Sequence, residues 1–390
     1  MNGRNNLENK KIVLLVIGIG FITLSYGMLA GTFELFPFEI YNKAKEIMFS
    51  EHSRNYPDKN AHIYDTNPAD LIKISNQDEA EQKRNELIQF IWKDKSISNK
   101  FPSKIIENFS DSDYVDMPNL KQIDRILVQM ENDVDSKIYH FIPNNPKNLA
   151  IIYHQGHGGD FLMGKKTIEY FVDEGYDVLA FMMPLYGKNN QPIVDTNFGK
   201  IHLINHNHLT FLDTDAFTSM KFFVEPIAQT MNYLEEKYEF DKFYMVGLSG
   251  GGLTVTIYSA LDERISETYS IAGSYPIYLE ATKPRPGHYE YLNMNFYQIA
   301  NYLELYVLSS HGSERKFVQI FNEFDLCCYE GTWFKTYEDD VVKVIDNLGQ
   351  GEFFIHLDST HTEHKISQHA LEIISTSIKN SLDTQREEEK

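Results

Sequence analysis

The chain has very little cysteine: two residues, Cys327 and Cys328, in 390. They are adjacent, and neighbouring residues rarely meet ordinary disulfide geometry. No disulfide framework and no zinc-type spacing can be read from them. Positive charge is also scarce. The 36 Lys and Arg against 56 Asp and Glu leave a formal net charge of −20. Such a surface repels phosphate backbones, and no basic run of the nucleic-acid-binding kind occurs, so nucleic acid is excluded as an expected partner. No internal repeat is visible. Long apolar runs are missing as well, with one exception. Ile12 to Phe33 carries no charged residue, and Ile12 to Ala30 is about long enough to cross a bilayer. Arg4, Lys10 and Lys11 precede it, which favours a cytoplasmic N-terminus. The expectation is an uncleaved single-pass anchor. The alternative is a signal peptide cleaved after Met28-Leu29-Ala30, where the first position of the small-x-small site is large. Both place the rest of the chain outside the cytoplasm, membrane-bound or secreted.

What is present is a chain with 42% hydrophobic and 13% aromatic residues, ample for a sizeable core. Residues 1–11 read as a cytoplasmic N-terminus, 12–33 as the anchor, 34–120 as a lead-in or stalk that packs on the main domain, 121–380 as that domain, and 381–390 as a charged tail. Within the lead-in, Glu79 to Trp92 fits a helix with Leu87, Phe90 and Ile91 on one face. From Ile123 the pattern changes. Ile123–Met130 and Lys137–Ile142 flank the turn signal Asn132-Asp133 and read as a hairpin. Leu149–Tyr153, Val178–Met183, Phe243–Val246, Ser266–Ala272, Lys316–Phe321 and Phe353–Leu357 are short apolar runs, as in strands buried on both faces. Helical patterns alternate with them, over Thr167–Asp173, Ser219–Tyr238, Gly252–Leu261 and a last helix with Ile366, Ala370, Ile373, Ile374 and Ile378 on one face. The predicted architecture is α/β: a mostly parallel sheet covered by helices on both faces. Tyr275–Ser313 breaks the alternation and reads as a lid-like insertion.

Gly247-Leu248-Ser249-Gly250-Gly251 lies between a predicted strand and a predicted helix. Its glycines stand where side chains would collide in a sharp turn that exposes a nucleophilic serine. A serine hydroxyl needs a base, a group to orient that base and donors for the oxyanion. The loop His154-Gln155-Gly156-His157-Gly158-Gly159 follows the strand at Leu149. Backbone N–H groups of His157, Gly158 and Gly159, with that of Gly250, are the expected oxyanion donors. Asp325, just past the strand Lys316–Phe321, is the expected orienting carboxylate, ahead of Glu323, Glu330, Asp339 and Asp340. The base is expected after the last strand, where His361 and His364 both qualify and position barely separates them. The order Ser, Asp, His is that of the α/β-hydrolase fold. His202, His206 and His208, with Asp213 and Asp215, form a polar cluster read as a hydrated loop. Metal binding by His154 and His157 is not expected, nor is any cofactor. Phe296, Tyr297, Tyr302 and Tyr306 of the insertion read as packing rather than as a pocket for an acyl chain or sugar.

Over Ile123 to Asn380 the sequence resembles the α/β-hydrolase superfamily. Within it the chain is similar to bacterial esterases, through Met245–Gly252, Phe222–Pro226, Leu261–Arg264, Ile271–Gly273, Asp325–Cys328 and His364–Ser367. The resemblance implies hydrolysis of carboxylic esters, small or carried on an acylated glycan, by Ser249. It assigns the base to the histidine of His-x-Ile-Ser, here His364, with His361 as the alternative. A peptidase or acyltransferase on the same residues is the runner-up, and a catalytically silent anchored binding module the rival from another class.

Overall fold

The computed structural model describes residues 65–280 and 287–388, together with Thr23 and Tyr26. Apart from those two, the expected anchor lies outside the described residues. No helix among the described residues is long and apolar enough to cross a membrane. The chain divides into two compact units, Met1–Asn55 and Tyr56–Lys390.

The second unit is centred on a nine-stranded sheet. The strands are β1 (Lys104–Ile106), β2 (Leu120–Gln129), β3 (Asp135–Pro143), β4 (Leu149–His154), β5 (Asp177–Phe181), β8 (Lys242–Leu248), β9 (Ile265–Ile271), β10 (Lys316–Asn322) and β11 (Glu352–Asp358). Their order is β1-β2-β3-β5-β4-β8-β9-β10-β11. The last six strands in that order pair in parallel, and β1, β2 and β3 add an antiparallel edge. β4 and β5 are buried at every position. Their Ile-, Val- and Leu-rich runs suit strands covered by helices on both faces. The β2–β3 turn places Asn132 and Asp133 at φ 58° and 56°, a left-handed conformation that Asn and Asp tolerate better than most residues.

The helices are α1 (Gln77–Trp92), α2 (Lys165–Asp173), α3 (Lys221–Lys237), α4 (Gly250–Leu261), α5 (Tyr302–Ser310), α6 (Glu338–Leu348) and α7 (Gln368–Glu388). α1 begins where the Asn76 side chain accepts the Glu79 N–H at 3.0 Å, a cap worth about 1 kcal/mol. It buries Ala80, Leu87, Ile88 and Ile91. Trp92 Nε1–H and Ser98 Oγ–H donate to Glu225 of α3. Residues 65–120 thus pack against the elements that follow and add a strand and a helix to them.

Three elements differ from expectation. β6 (Ile193–Thr196) and β7 (Gly199–His202) form a separate two-stranded hairpin, in which only Val194 is buried, so no core-facing alternation announces it. Of the insertion, only the first part departs from the alternation, as the one-turn helices Ile277–Glu280, Tyr289–Leu292 and Met294–Tyr297. α5 is buried along its whole length and packs on α4, so it is an ordinary crossover helix between β9 and β10. Finally, α7 continues to Glu388, so most of the expected tail is helical.

Candidate active site

In the order β5-β4-β8 the chain leaves β4 to one side and returns on the other. Open parallel sheets bind ligands in the crevice this reversal opens at the strands' carboxyl ends. The loop 155–164 follows β4 there. Ser249 follows β8, Asp325 follows β10, and His361 and His364 follow β11.

Ser249 caps α4 at φ 55° and ψ −124° and is half-buried. This backbone region is one that L side chains rarely adopt, and holding it costs on the order of 1–3 kcal/mol. The flanking glycines are forced by backbone approach. A Cβ on Gly247 would stand 2.3 Å from the Gly251 carbonyl oxygen, and one on Gly251 would stand 2.1 Å from that of His154. Neither obstacle is the end of a flexible side chain, so the turn cannot yield locally. Gly251→Ala is accordingly expected to lose about 2–3 kcal/mol of stability, at the upper end for overpacking. Urea unfolding measures this, and a change within about 0.5 kcal/mol would contradict so close an approach.

Asp325 is buried, and its carboxylate is held on all sides. Oδ1 accepts the N–H groups of Cys327 at 2.8 Å and Cys328 at 3.1 Å. Oδ2 faces Nδ1 of His364 at 2.6 Å and accepts from Asn322 Nδ2 at 3.3 Å. This leaves His364 Nε2, which has no hydrogen-bond partner among the described residues. The two cysteines are joined by a disulfide. That corrects the expectation drawn from their adjacency: a bridge between neighbours forms within the turn that presents both N–H groups to Asp325.

His361 is placed differently. Its Nε2 stands 3.4 Å from Asp358 Oδ2 and its Nδ1 3.6 Å from Glu363. Asp358 also accepts from Thr360 and Ser367. Burial alone would raise its carboxyl, but His361, Ser367 and Thr360 together hold it well below the usual range. His361 thus belongs to a clamp on the loop between β11 and α7. The two histidines, which the sequence neighbourhood could not separate, thus meet different buried carboxylates, His364 that of Asp325 and His361 that of Asp358.

The loop after β4 meets the serine turn at Gly156, where a Cβ would lie 2.7 Å from the Leu248 carbonyl oxygen and 2.9 Å from Ser249 Cβ. Gly156 was not among the residues singled out from the sequence, although it belongs to the same glycine-rich run. Gly158, at φ 87°, has open space at its Cβ position, and Gly159 faces Met163. The His157 ring covers Gly250, where a Cβ would stand 2.3 Å from Cε1. Gly250 opens α4, whose first N–H groups have no partner within the helix. His154 is fully buried beneath the turn. Its Nδ1 pairs with the Gln155 carbonyl at 2.9 Å, and burial lowers its pKa to about 4, so it is neutral at ordinary pH.

His157 Nε2 lies 2.6 Å from Glu290 Oε1, and His206 Nδ1 lies 2.9 Å from Glu290 Oε2. Of the polar cluster read as a hydrated loop, His206 comes to this site. His208 pairs with the His202 carbonyl, and Asp213 with Tyr289 and Ser219. Glu290 and His288 were not legible as site residues. The insertion aromatics are packing, as expected: Phe296, Tyr302 and Tyr306 are buried, and Tyr297 stacks on Tyr302 at 4.4 Å. A different aromatic series, Tyr291, Tyr329 and Tyr275, runs at 5.8–6.4 Å ring spacings from beside His157 to the loop that carries Asp325.

A doubly wound sheet with a strained serine at a strand–helix turn, and an Asp–His pair at two later strand ends, defines the α/β-hydrolase class of scaffold. Known proteins agree with that assignment. Residues 143–271 match the family described as alpha/beta hydrolase of unknown function (DUF915). Acetyl xylan esterase 1 from Thermoanaerobacterium sp. superposes with a TM-score of 0.52 at 14% identity, over 83% of this chain and 99% of that one. A candidate acetyl xylan esterase from Bacteroides fragilis gives 0.51 at 14% identity, over 82% of each chain. The methylesterase BT1017 gives 0.50 at 11%, over 78% of this chain and 64% of that one. At such identities the likeness concerns the fold. No curated protein sequence matches the chain. The chain is thus an α/β hydrolase in fold, resembling esterases.

Proposed function

We propose that the chain hydrolyses carboxylic esters through Ser249. The observation that carries this reading is the 2.6 Å Asp325–His364 bond at the same sheet edge as a serine held at φ 55°. Ser249 Oγ attacks the acyl carbonyl while His364 Nε2 takes its proton, and Asp325 orients the imidazole and stabilises its charge. Backbone N–H groups of Gly250 and of the loop from Gly156 through His157, Gly158 and Gly159 hold the oxyanion. Collapse expels the alcohol, which takes its proton from His364. Water, deprotonated by the same base, then releases the acid and restores Ser249.

The substrate class we favour is a short acyl ester carried on a small molecule or a glycan. The names of two structural neighbours, an acetyl xylan esterase and a candidate one, point that way. We place the enzyme on the outer side of a membrane, held by 12–33. A fluorophosphonate probe and a panel of p-nitrophenyl esters test the chemistry. We expect labelling that Ser249→Ala abolishes, and fastest turnover on acetate. Folded protein that neither labels nor turns over any ester would sink the reading. Protease accessibility on intact cells tests the topology.

A further inference from the structure

Three histidines and a glutamate from three separate segments meet beside the loop that follows β4. His157 comes from that loop, His206 from the turn after β7, and His288 and Glu290 from the insertion after β9. Each offers one ligand atom, and all four atoms lie within 4.8 Å of one another. Three are closer still. His157 Nε2, His206 Nδ1 and the Glu290 carboxylate stand 2.6, 2.9 and 3.3 Å apart. Neighbouring corners of a tetrahedron of nitrogen and oxygen ligands around zinc are roughly 3.3 Å apart.

The hydrogen inventory of the cluster accommodates a cation. His206 Nε2 faces the Pro184 carbonyl oxygen at 2.9 Å, so that nitrogen carries a hydrogen. In the neutral ring Nδ1 then presents a lone pair toward a carboxylate oxygen and a second imidazole nitrogen. Protons alone satisfy this contact by charging a fully buried imidazole next to two others, or by neutralising Glu290. His157 stacks on His288 with centroids 4.1 Å apart, and His206 lies 5.0 Å from His157. Glu290 is only 1% exposed, and among the described residues its ion pairs are both to histidines. A divalent cation satisfies the converging lone pairs at once, with every imidazole neutral. The His206 N–H to Pro184 carbonyl bond is the kind of outer contact that fixes the tautomer of a metal-ligating histidine.

We propose that His157, His206, His288 and Glu290 form a binding site for a divalent cation of the zinc type. Three nitrogens and one oxygen suit zinc, and four protein ligands make a closed site whose role is to hold structure rather than to bind substrate. What it holds is specific. It ties the start of the insertion to His157, whose ring covers Gly250 at the head of α4. The cation thereby positions the loop that packs on Ser249, and the proposal stands whether or not Ser249 is a nucleophile.

The test uses the full chain without a polyhistidine tag, stripped with a chelator and then titrated with Zn²⁺ or Co²⁺ alone. One equivalent of Zn²⁺ is expected to bind and to raise Tm, and Co²⁺ is expected to give the visible d–d band of a four-coordinate site. Glu290→Gln and His206→Gln should each weaken Zn²⁺ binding by more than the roughly 10–100-fold that loss of an outer-contact group costs. His288→Gln, at a half-exposed position, should do so with the fold intact by circular dichroism. Failure to bind one equivalent would overturn the proposal. So would stoichiometric binding that all three variants leave unchanged. Neither outcome touches fluorophosphonate labelling of Ser249, so the two readings fail separately.

Discussion

Ser249→Gly is expected to abolish ester turnover and yet to yield a more stable protein than the wild type. Removing the nucleophile of a serine triad costs on the order of 10⁵–10⁶-fold in kcat, and Ser249→Ala should show the same loss. The stability effect separates the two variants. Ser249 sits at φ 55° and ψ −124°, where a Cβ is strained by about 1–3 kcal/mol. Glycine removes that strain at an entropic cost of about 0.5–1 kcal/mol. A net gain of about 1 kcal/mol is therefore expected for glycine, while alanine keeps its Cβ and gains little. Denaturant unfolding of both variants measures the difference. Equal stabilities would mean that the turn carries no strain for function to exploit, even if both variants are inactive.

The serine turn was the most legible part of the site because backbone contact dictates it. Where the Gly251 carbonyl lies 2.3 Å from a Gly247 Cβ position, only glycine fits, and the spacing around Ser249 records that constraint in the residues themselves. The parallel strands were legible for a similar reason. Burial on both faces leaves continuous apolar runs such as Leu149 to Tyr153. β1 and the β6–β7 hairpin lack that signature, since each has at most one buried residue. The histidine cluster was illegible for another reason. His157, His206 and Glu290 meet only because the insertion folds back over the crevice, and no local periodicity encodes that meeting. His206 was visible only as one of three neighbouring histidines, and the hairpin's geometry sends His202 and His208 elsewhere. The proposed base was half legible. His361 and His364 are equivalent by position, and what divides them is which buried carboxylate each one meets.

That division gives the second large effect. His364→Ala is expected to lower kcat about 10⁵-fold, comparable to loss of the nucleophile itself. Asp325→Asn is expected to lower it about 10⁴-fold, because an amide on Nδ1 favours the wrong tautomer. His361→Ala should retain turnover and lose stability instead, about 1–2 kcal/mol at neutral pH, since it withdraws one partner from buried Asp358. The pH dependence gives that loss a sign. The Asp358 carboxyl is held well below its usual range in the folded protein, partly by His361. A depressed carboxyl contributes stability above its unfolded pKa of about 4, and this is lost as pH falls through the folded value. Without His361 the depression is smaller. The deficit of His361→Ala relative to wild type should therefore be largest at neutral pH and shrink as pH falls below about 4. Turnover on the preferred p-nitrophenyl ester, with urea unfolding at pH 7 and at a series of pH values below 4, checks both halves. If His361→Ala is inactive at wild-type stability while His364→Ala still turns over, the base is His361, and the Asp325–His364 bond serves the fold rather than the chemistry.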